Sequence, residues 1–446
     1  MKKFFLIRAV SLFLILLLAG AIFSIPSFGA ENQPSMDHVT SVCVVNVKHR
    51  IMVLHKDEHK IVYPASTAKL MTALVVHDTY KGRLQEEITV TKEMLDATKG
   101  RFIGFSIGET ISVEDLLYAM LIGGYNDATN ILAFSVAGGV EQFCQLMNQK
   151  AAELGAASTH YTNPTGIHHD SMVTTAYDTA LISIAVRENT DLFTITKAVK
   201  HKITTAEKLG DFTLYNRNYL IATNVSEDYF YTKAEGMNAG ETDEGGFCVV
   251  TSGKEGKGET EEAEYTYVCV VMGGEISDSG TNYAYKVAKN TLRYALINYS
   301  VMRLKSHKSI VATIPVDFSA TDYEVDVKLK NDLTSLIHSG VDIEKDIKFV
   351  TEINHKRLNA PIKEGQVVGS IKAYYKGALL DETELITTRG IDSHGFLVFM
   401  HGMKKLTQNP LFFIPFLLGV AGLIYYKVKT SGGKKPQKKR KRKYYN

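Results

Sequence analysis

Basic residues are scarce in the body of this chain. It has 446 residues, with 51 Lys or Arg against 48 Asp or Glu and a formal net charge of +3. The cations collect at the ends. Residues 427–446 hold ten Lys or Arg and no acid, and the first 29 residues add Lys2, Lys3 and Arg8. Setting these 13 aside leaves 38 bases against 48 acids, so the body carries about −10. A surface that acidic argues against nucleic acid as a partner, because phosphate contacts need clustered cations. Cysteine is also scarce. Cys43, Cys144, Cys248 and Cys269 match no metal-ligand spacing, so no metal is expected, and nothing implies a cofactor. Cys43, Cys248 and Cys269 each lie in a β-like run. That leaves two readings, core thiols or a Cys248–Cys269 bridge across neighbouring strands. No internal repeat is present. With 45% hydrophobic and 22% charged residues, global disorder is excluded.

The two ends read as export and tether signals. "MKKFFLIRAVSLFLILLLAGAIFSIPSFGA" has a basic start, an apolar run from Ala9 to Phe23, then Pro26 and small residues. That pattern predicts a signal peptide over 1–29, cleaved near Gly29 or Ala30. An uncleaved anchor is the alternative, and the body is exported either way. Residues 410–426, "PLFFIPFLLGVAGLIYY", hold no charge. At 17 residues they lie at the short end for a transmembrane helix. The basic run 427–446 follows at once, which predicts a cytoplasmic tail. The expectation is a single-pass cell-membrane protein with its body on the extracytoplasmic face.

Between the ends the texture changes once. Val39 to Val53 alternates in two short runs, as a hairpin does. "YPASTAKLMTALVVHDTY" takes helical spacing after Pro64, with Leu70, Ala73, Leu74 and His77 three and four apart. Ser112 and Asp115 form a capping-box-like start to a second helix. "VEQFCQLMNQKAAELG" predicts a helix closed by Gly155, and "TTAYDTALISIAV" one opened by Thr174 or Thr175. Strands return from Phe247 to Met272, and "TNYAYKVAKNTLRYALINYS" closes the unit as a helix. This order predicts an α+β domain over 36–300, a sheet built from both chain ends with helices packed on it. After Lys305, short alternating segments predict a small all-β domain over 308–388. Residues 389–409 read as a linker to the apolar span.

Ser66-Thr67-Ala68-Lys69 is the first motif that carries chemistry. At i and i+3 on a helix start, the two side chains share a face. A Ser hydroxyl is a weak nucleophile and needs a base within hydrogen-bond reach. Lys serves as that base only as a neutral amine, a state favoured by burial and by nearby cations. Four-residue matches of this kind often arise by chance from a solvated Ser and Lys. Here Tyr63-Pro64-Ala65 precede the motif, and the apolar helix after it would bury the pair.

The stretch "YPASTAKLMTAL" resembles the active-site helix of low-molecular-weight penicillin-binding proteins, the serine D-alanyl-D-alanine carboxypeptidases. That family carries the motifs S-x-x-K, S-x-N and K-T-G. "MLIGGYNDATNILA" resembles the second-motif region, and "YTNPTGIHHDSMVTTAYDTALIS" the N-P-x-G segment with the helix after it. "NRNYL" resembles a segment before the third motif, and "APIKEGQVVGSI" part of the C-terminal β domain. The resemblance spans about Asp37 to Thr388. It implies a β-lactamase/transpeptidase-like fold with an antiparallel sheet, followed by a β-sandwich-like domain that holds the body off the membrane. It implies removal of the terminal D-alanine from peptidoglycan stem peptides through an acyl-enzyme, with β-lactams as inhibitors. Residue by residue, Ser66 matches the nucleophile and Lys69 its base. Asn126 matches the Asn of S-x-N, which bonds the substrate and that Lys. The backbone amides of Ser66 and Glu241 match an oxyanion hole. Gly240 matches the third-motif Gly, and Thr242 a Thr two positions on.

Two motifs depart from the pattern. The Ser of S-x-N is Gly124, so a hydroxyl that helps pass a proton to the leaving group is missing. A water in the vacated space is the expected relay. The Lys-Thr-Gly motif is Asn238-Ala239-Gly240, so the cation and hydroxyl that meet the substrate carboxylate are missing too. A hydrogen bond to a charged group is worth roughly 1.5–3 kcal/mol. Its loss predicts capture weaker by about one to two powers of ten, and a Lys69 less readily neutral. Arg217 is the preferred replacement cation, ahead of Lys233 and His168-His169. The competing expectation is an impaired relative that binds peptidoglycan or a partner without turnover.

Overall fold

The computed structural model describes residues 23–24, 33–210, 212–223, 226–255, 265–408 and 410–431. The expected signal peptide over 1–29 lies outside them except for Phe23–Ser24, and so does the tail from residue 432. The chain forms two compact units. The first comprises Met1–Met302, Thr334–Ile347 and Tyr375–Leu380, the second Arg303–Leu333, Lys348–Tyr374 and Asp381–Asn446.

The first unit begins with strands β1 (Phe23–Ser24), β2 (Ser41–Asn46) and β3 (Ile51–Lys56). A 3-10 turn, Ala65–Thr67, runs into helix α1 (Ala68–Tyr80). The helical middle holds β4 (Glu87–Thr89), α2 (Lys92–Asp96), β5 (Thr110–Ser112), α3 (Val113–Leu121), α4 (Asn126–Ala137), α5 (Val140–Glu153), α6 (Ala176–Glu188) and α7 (Thr190–Thr196). Then come β6 (Lys200–Ile203), β7 (Phe212–Tyr215), β8 (Ala234–Thr242), β9 (Gly246–Lys254), β10 (Thr266–Gly274) and α8 (Tyr283–Asn298). The main sheet has the order β1-β3-β2-β10-β9-β8, so both chain ends contribute and β8 is an edge. From β3 to β8 every pair is antiparallel.

Burial explains why β10 is an unbroken apolar run. Val268, Val270 and Met272 join Leu70, Met71, Ala180 and Ile184 in one core beneath α1 and α6. Cys269 turns to the other face, where its Sγ lies 3.3 Å from Thr291 Oγ1 on α8. A strand covered on both faces gains nothing from alternating polar residues. The same geometry removes the Cys248–Cys269 bridge. Cys248 Sγ faces Gly245 O and Tyr63 O on the side of the sheet opposite α8, and all four cysteines are free and buried.

Local capping sets the helix starts. Ser112 Oγ accepts from Asp115 N at 3.1 Å, opening α3. The Asp115 carboxylate does not close the box. It accepts instead from Thr204 N, Thr205 N and Thr205 Oγ1, which fastens the β6–β7 hairpin to α3. Thr175 rather than Thr174 opens α6, its hydroxyl accepting from Asp178 N. Gly155, at φ +77°, follows the end of α5, a position where glycine alone avoids strain.

The second unit carries most of a six-stranded sheet whose spatial order is Ile347–Ile353, Val367–Tyr375, Ala378–Thr387, Glu324–Leu329, Ile310–Asp317 and Leu358–Asn359. Val325, Val327 and Leu329 alternate inward along one strand, the half-buried pattern read from the sequence. Residues 395–407 of the expected linker form a helix, Gly395–Thr407, because Phe396, Phe399, Met400 and Met403 recur at helical spacing. The expected spanning segment is also a helix, Pro410–Ser431. Yet among the described residues no helix is long and apolar enough to cross a membrane. Seventeen residues rise about 25 Å before Lys427 ends the apolar run, short of a hydrocarbon core of about 30 Å.

Candidate active site

Ser66 lies in the 3-10 turn ahead of α1 and is half-buried. Ala65 before it adopts φ +46°, left-handed backbone that costs a residue with a Cβ about 1–2 kcal/mol. The Asn163-Pro164-Thr165-Gly166 loop braces this turn from behind. A Cβ at Gly166 would lie 1.9 Å from Ala65 O, so only glycine allows the approach. Asn163 Oδ1 accepts from Thr165 N, Gly166 N and Thr165 Oγ1 and stiffens the loop. Thr165 O then accepts from Lys69 Nζ at 2.6 Å. Nζ lies 3.3 Å from Ser66 Oγ.

Lys69 is fully buried. Burial, and next the Arg217 charge, bring its pKa down to about 7. Both act against the ammonium form. Lys69 is thus held toward its neutral form despite the missing third-motif Lys, by burial first and next by a cation from elsewhere in the chain.

The opposite wall is the β8 edge. A Cβ at Gly240 would lie 2.3 Å from Ser66 Cβ and 2.7 Å from Ser66 Oγ, so the strand reaches the nucleophile only through glycine. Asn238, on the same face of the strand, is buried, and its Nδ2 donates to Leu121 O at 3.1 Å. Its amide thus ties β8 to the end of α3, and its Oδ1 is buried without a partner. Ala239 points to the other face and is buried. Thr242 Oγ1 accepts from Gly245 N in the β8–β9 turn. Asn126 is buried and donates from Nδ2 to Lys99 O at 2.7 Å, with Oδ1 left unpartnered. Lys69 finds its partners in Thr165 and Ser66, not in Asn126 as the resemblance implies: Lys99 O fixes the Asn126 amide through Nδ2, and Oδ1, the atom that could accept from Lys69, has no partner.

Arg217 lies between Gly124 and the end of the altered third motif. Gly124 has φ +74°, and a Cβ there would lie 3.2 Å from Arg217 Nη1 and 3.3 Å from its Cδ. The space of the missing second-motif side chain is therefore bordered by a guanidinium. Arg217 Nη2 reaches Glu241 Oε1 at 3.2 Å and Oε2 at 3.4 Å. Its backbone is held from both sides: Arg217 N donates to Ile122 O, and Tyr285 Oη donates to Arg217 O at 2.7 Å. The flanking asparagines are buried. Asn216 Nδ2 donates to Thr196 O and Ala198 O, and Asn218 Nδ2 to Val250 O.

The other cations weighed from the sequence are engaged elsewhere. Lys233 pairs with Glu255. His168 sits edge-on to Tyr63, 3.2 Å from Asp170 and 3.8 Å from Glu244. His169 Nδ1 accepts from Ser171 N. Sequence reasoning did not single out Thr165, Gly166, Asn216 or Asn218. Their signals were present in the N-P-T-G and N-R-N patterns, but they work through backbone contacts that spacing alone does not reveal.

This arrangement can accept a peptide along the β8 edge, attack it with Ser66, and hold a carboxylate at Arg217. A family model described as D-alanyl-D-alanine carboxypeptidase matches residues 30–275, and one described as the penicillin-binding protein 5 C-terminal domain matches residues 299–393. D-alanyl-D-alanine carboxypeptidase DacF of Bacillus subtilis is 27% identical over 356 residues, 78% of this chain and 85% of that protein. A D-alanyl-D-alanine endopeptidase of Pseudomonas aeruginosa is 32% identical over 248 residues, 55% of this chain and 77% of that protein. The solved structure of D-alanyl-D-alanine carboxypeptidase DacD from Francisella tularensis superposes with a TM-score of 0.63 at 22% identity, covering 83% of this chain and 97% of that one. At that identity the likeness speaks for the fold alone. Matched by its family model over more than half its length, on a site built around Ser66 and Lys69, this chain belongs to the D-alanyl-D-alanine carboxypeptidase family.

Proposed function

We propose that this protein is a serine D-alanyl-D-alanine carboxypeptidase that trims the terminal D-alanine from peptidoglycan stem peptides and is acylated by penicillins. The observation that carries the reading is Lys69 Nζ, buried and 3.3 Å from Ser66 Oγ, under the field of Arg217. Ser66 Oγ attacks the carbonyl carbon of the penultimate D-alanine as its proton passes to the neutral Lys69 amine. The peptide lies as an added strand on β8, whose outer edge is unpaired within the sheet. The amides of Ser66 and Glu241 receive the oxyanion. Lys69 then returns the proton to the departing D-alanine nitrogen, the C–N bond breaks, and an ester to Ser66 remains. Water activated by the same Lys69 hydrolyses the ester. Arg217 binds the terminal carboxylate in place of the missing third-motif Lys. A guanidinium fork suits a carboxylate better than a point charge does.

The test is labelling of the full chain by a fluorescent penicillin and D-alanine release from a D-Ala-D-Ala peptide, with Ser66→Ala as control. Both signals are expected and both vanish in the variant. Labelling without release would leave a penicillin-binding protein that does not turn over.

The same reading puts the body outside the cell membrane and assigns residues 410–426 to membrane contact. The apolar end segments, the basic residues after each outer boundary and the exposure of Leu417, Leu418, Leu423 and Ile424 support it. Truncation after residue 408 is expected to release the body from sedimented membranes.

A further inference from the structure

We propose that Glu241 is a specificity-determining residue, a resident carboxylate that occupies the Arg217 guanidinium in the empty site and competes with the substrate's own. The inference rests on Arg217 being the carboxylate site. Both Glu241 oxygens lie within 3.4 Å of Arg217 Nη2, the placement an incoming carboxylate would take. The two partners differ in freedom. Arg217 is pinned through its backbone N and O and by the buried asparagines beside it, and its side chain is 26% exposed. The Glu241 side chain is 45% exposed, and its carboxylate makes no other hydrogen bond or ion pair among the described residues. When a second carboxylate arrives, Glu241 is therefore the group that leaves. An ion pair this open to water is weak enough to be displaced. Displacement does not abolish its influence, because Glu241 directly follows Gly240, which touches Ser66. Its charge stays near the bound carboxylate and opposes it. Arg217 also faces Gly124, which carries no side chain, so Glu241 is its only acidic neighbour within ion-pair distance among the described residues. The consequence is a site tuned to release as well as to capture, with D-alanine leaving as Glu241 swings back.

The experiment is competition against fluorescent-penicillin labelling of the full chain by two peptides, one ending in D-Ala-D-Ala and its C-terminal amide. Glu241→Gln keeps the size and the backbone amide but removes the charge. The expected result is an inhibition constant about threefold to tenfold lower for the acid peptide in the variant, with the amide peptide unmoved. The difference is expected to shrink as salt is raised. An unchanged or higher constant for the acid peptide overturns the proposal, and so does an equal shift for both peptides. Loss of Ser66-dependent labelling in the natural chain would sink the acyl-enzyme reading along with this one. Intact labelling with an unmoved constant sinks this inference alone.

Discussion

The two walls of the cleft solve the same problem in different ways. The Ser66 wall keeps its chemistry in one short segment. Ser66 and Lys69 come from a single helix start, and the loop 163–166 braces them through backbone contacts. The β8 wall has lost the side chains its position calls for and retains only the shape of the strand, with Gly240 at the nucleophile. The cation nearest to it comes from Arg217, more than twenty residues earlier, which reaches across to Gly124 and Glu241. A nucleophile and its base must meet within hydrogen-bond distance, and here a single helix turn supplies that, because i and i+3 share a face. A cation that binds a carboxylate and biases a nearby amine acts through space, and any part of the chain that reaches the site can supply it.

That contrast can be broken at its strongest point first. Gly240→Ala would drive a methyl group to within 2.3 Å of Ser66 Cβ, and neither backbone can yield without losing the strand pairing. Penicillin labelling is expected to fall by about a hundredfold or more, because a misplacement near 1 Å already costs that much. Circular dichroism should show the fold retained. Labelling at the natural rate would mean that the β8 edge does not approach Ser66 in solution.

The next effect is that of Arg217→Ala. Loss of a charged hydrogen bond predicts a KM for D-Ala-D-Ala peptide raised by about ten- to a hundredfold. The pH profile carries a second readout. Lys69 works as the neutral amine, so activity is present above a pKa of about 7 and lost as pH falls through it. Arg217 lowers that pKa, so its removal moves the acid limb to higher pH. Arg217→Lys should restore part of both effects. An acid limb that stays in place would remove Arg217 from the electrostatics of Lys69.

The smallest expected effect is that of Gly124→Ser, which returns the hydroxyl the second motif lacks. At φ +74° the new side chain is strained by about 1–2 kcal/mol, and it meets the guanidinium at 3.2 Å. A modest fall in melting temperature and in kcat/KM is expected. A rise by orders of magnitude would show that the missing hydroxyl limits the enzyme and that Arg217 yields easily.

Much of this was legible beforehand. The hairpin at the start, the helix after Pro64, the caps at Ser112 and Thr175 and the all-β second domain rest on periodicity and local turn chemistry, which operate over a few residues. Ser66 and Lys69 were legible for the same reason. The Cys248–Cys269 question was not, because it depends on which face of the sheet each thiol takes. The neighbour of the space at Gly124 was not, because an absent side chain says nothing about what lies beside it. Residues 410–426 show the opposite case. Their composition calls for a spanning segment, while their length as a helix falls short of one.

By itself the sequence determined the order of the elements, the pairing of Ser66 with Lys69 at one helix start, and the loss of three expected side chains. Each is a statement about neighbours along the chain. Only the tertiary structure decided that one arginine lies against Gly124 and pairs with Glu241 at the end of the altered third motif, because a charge acts through space and carries no mark of which distant residue it will serve.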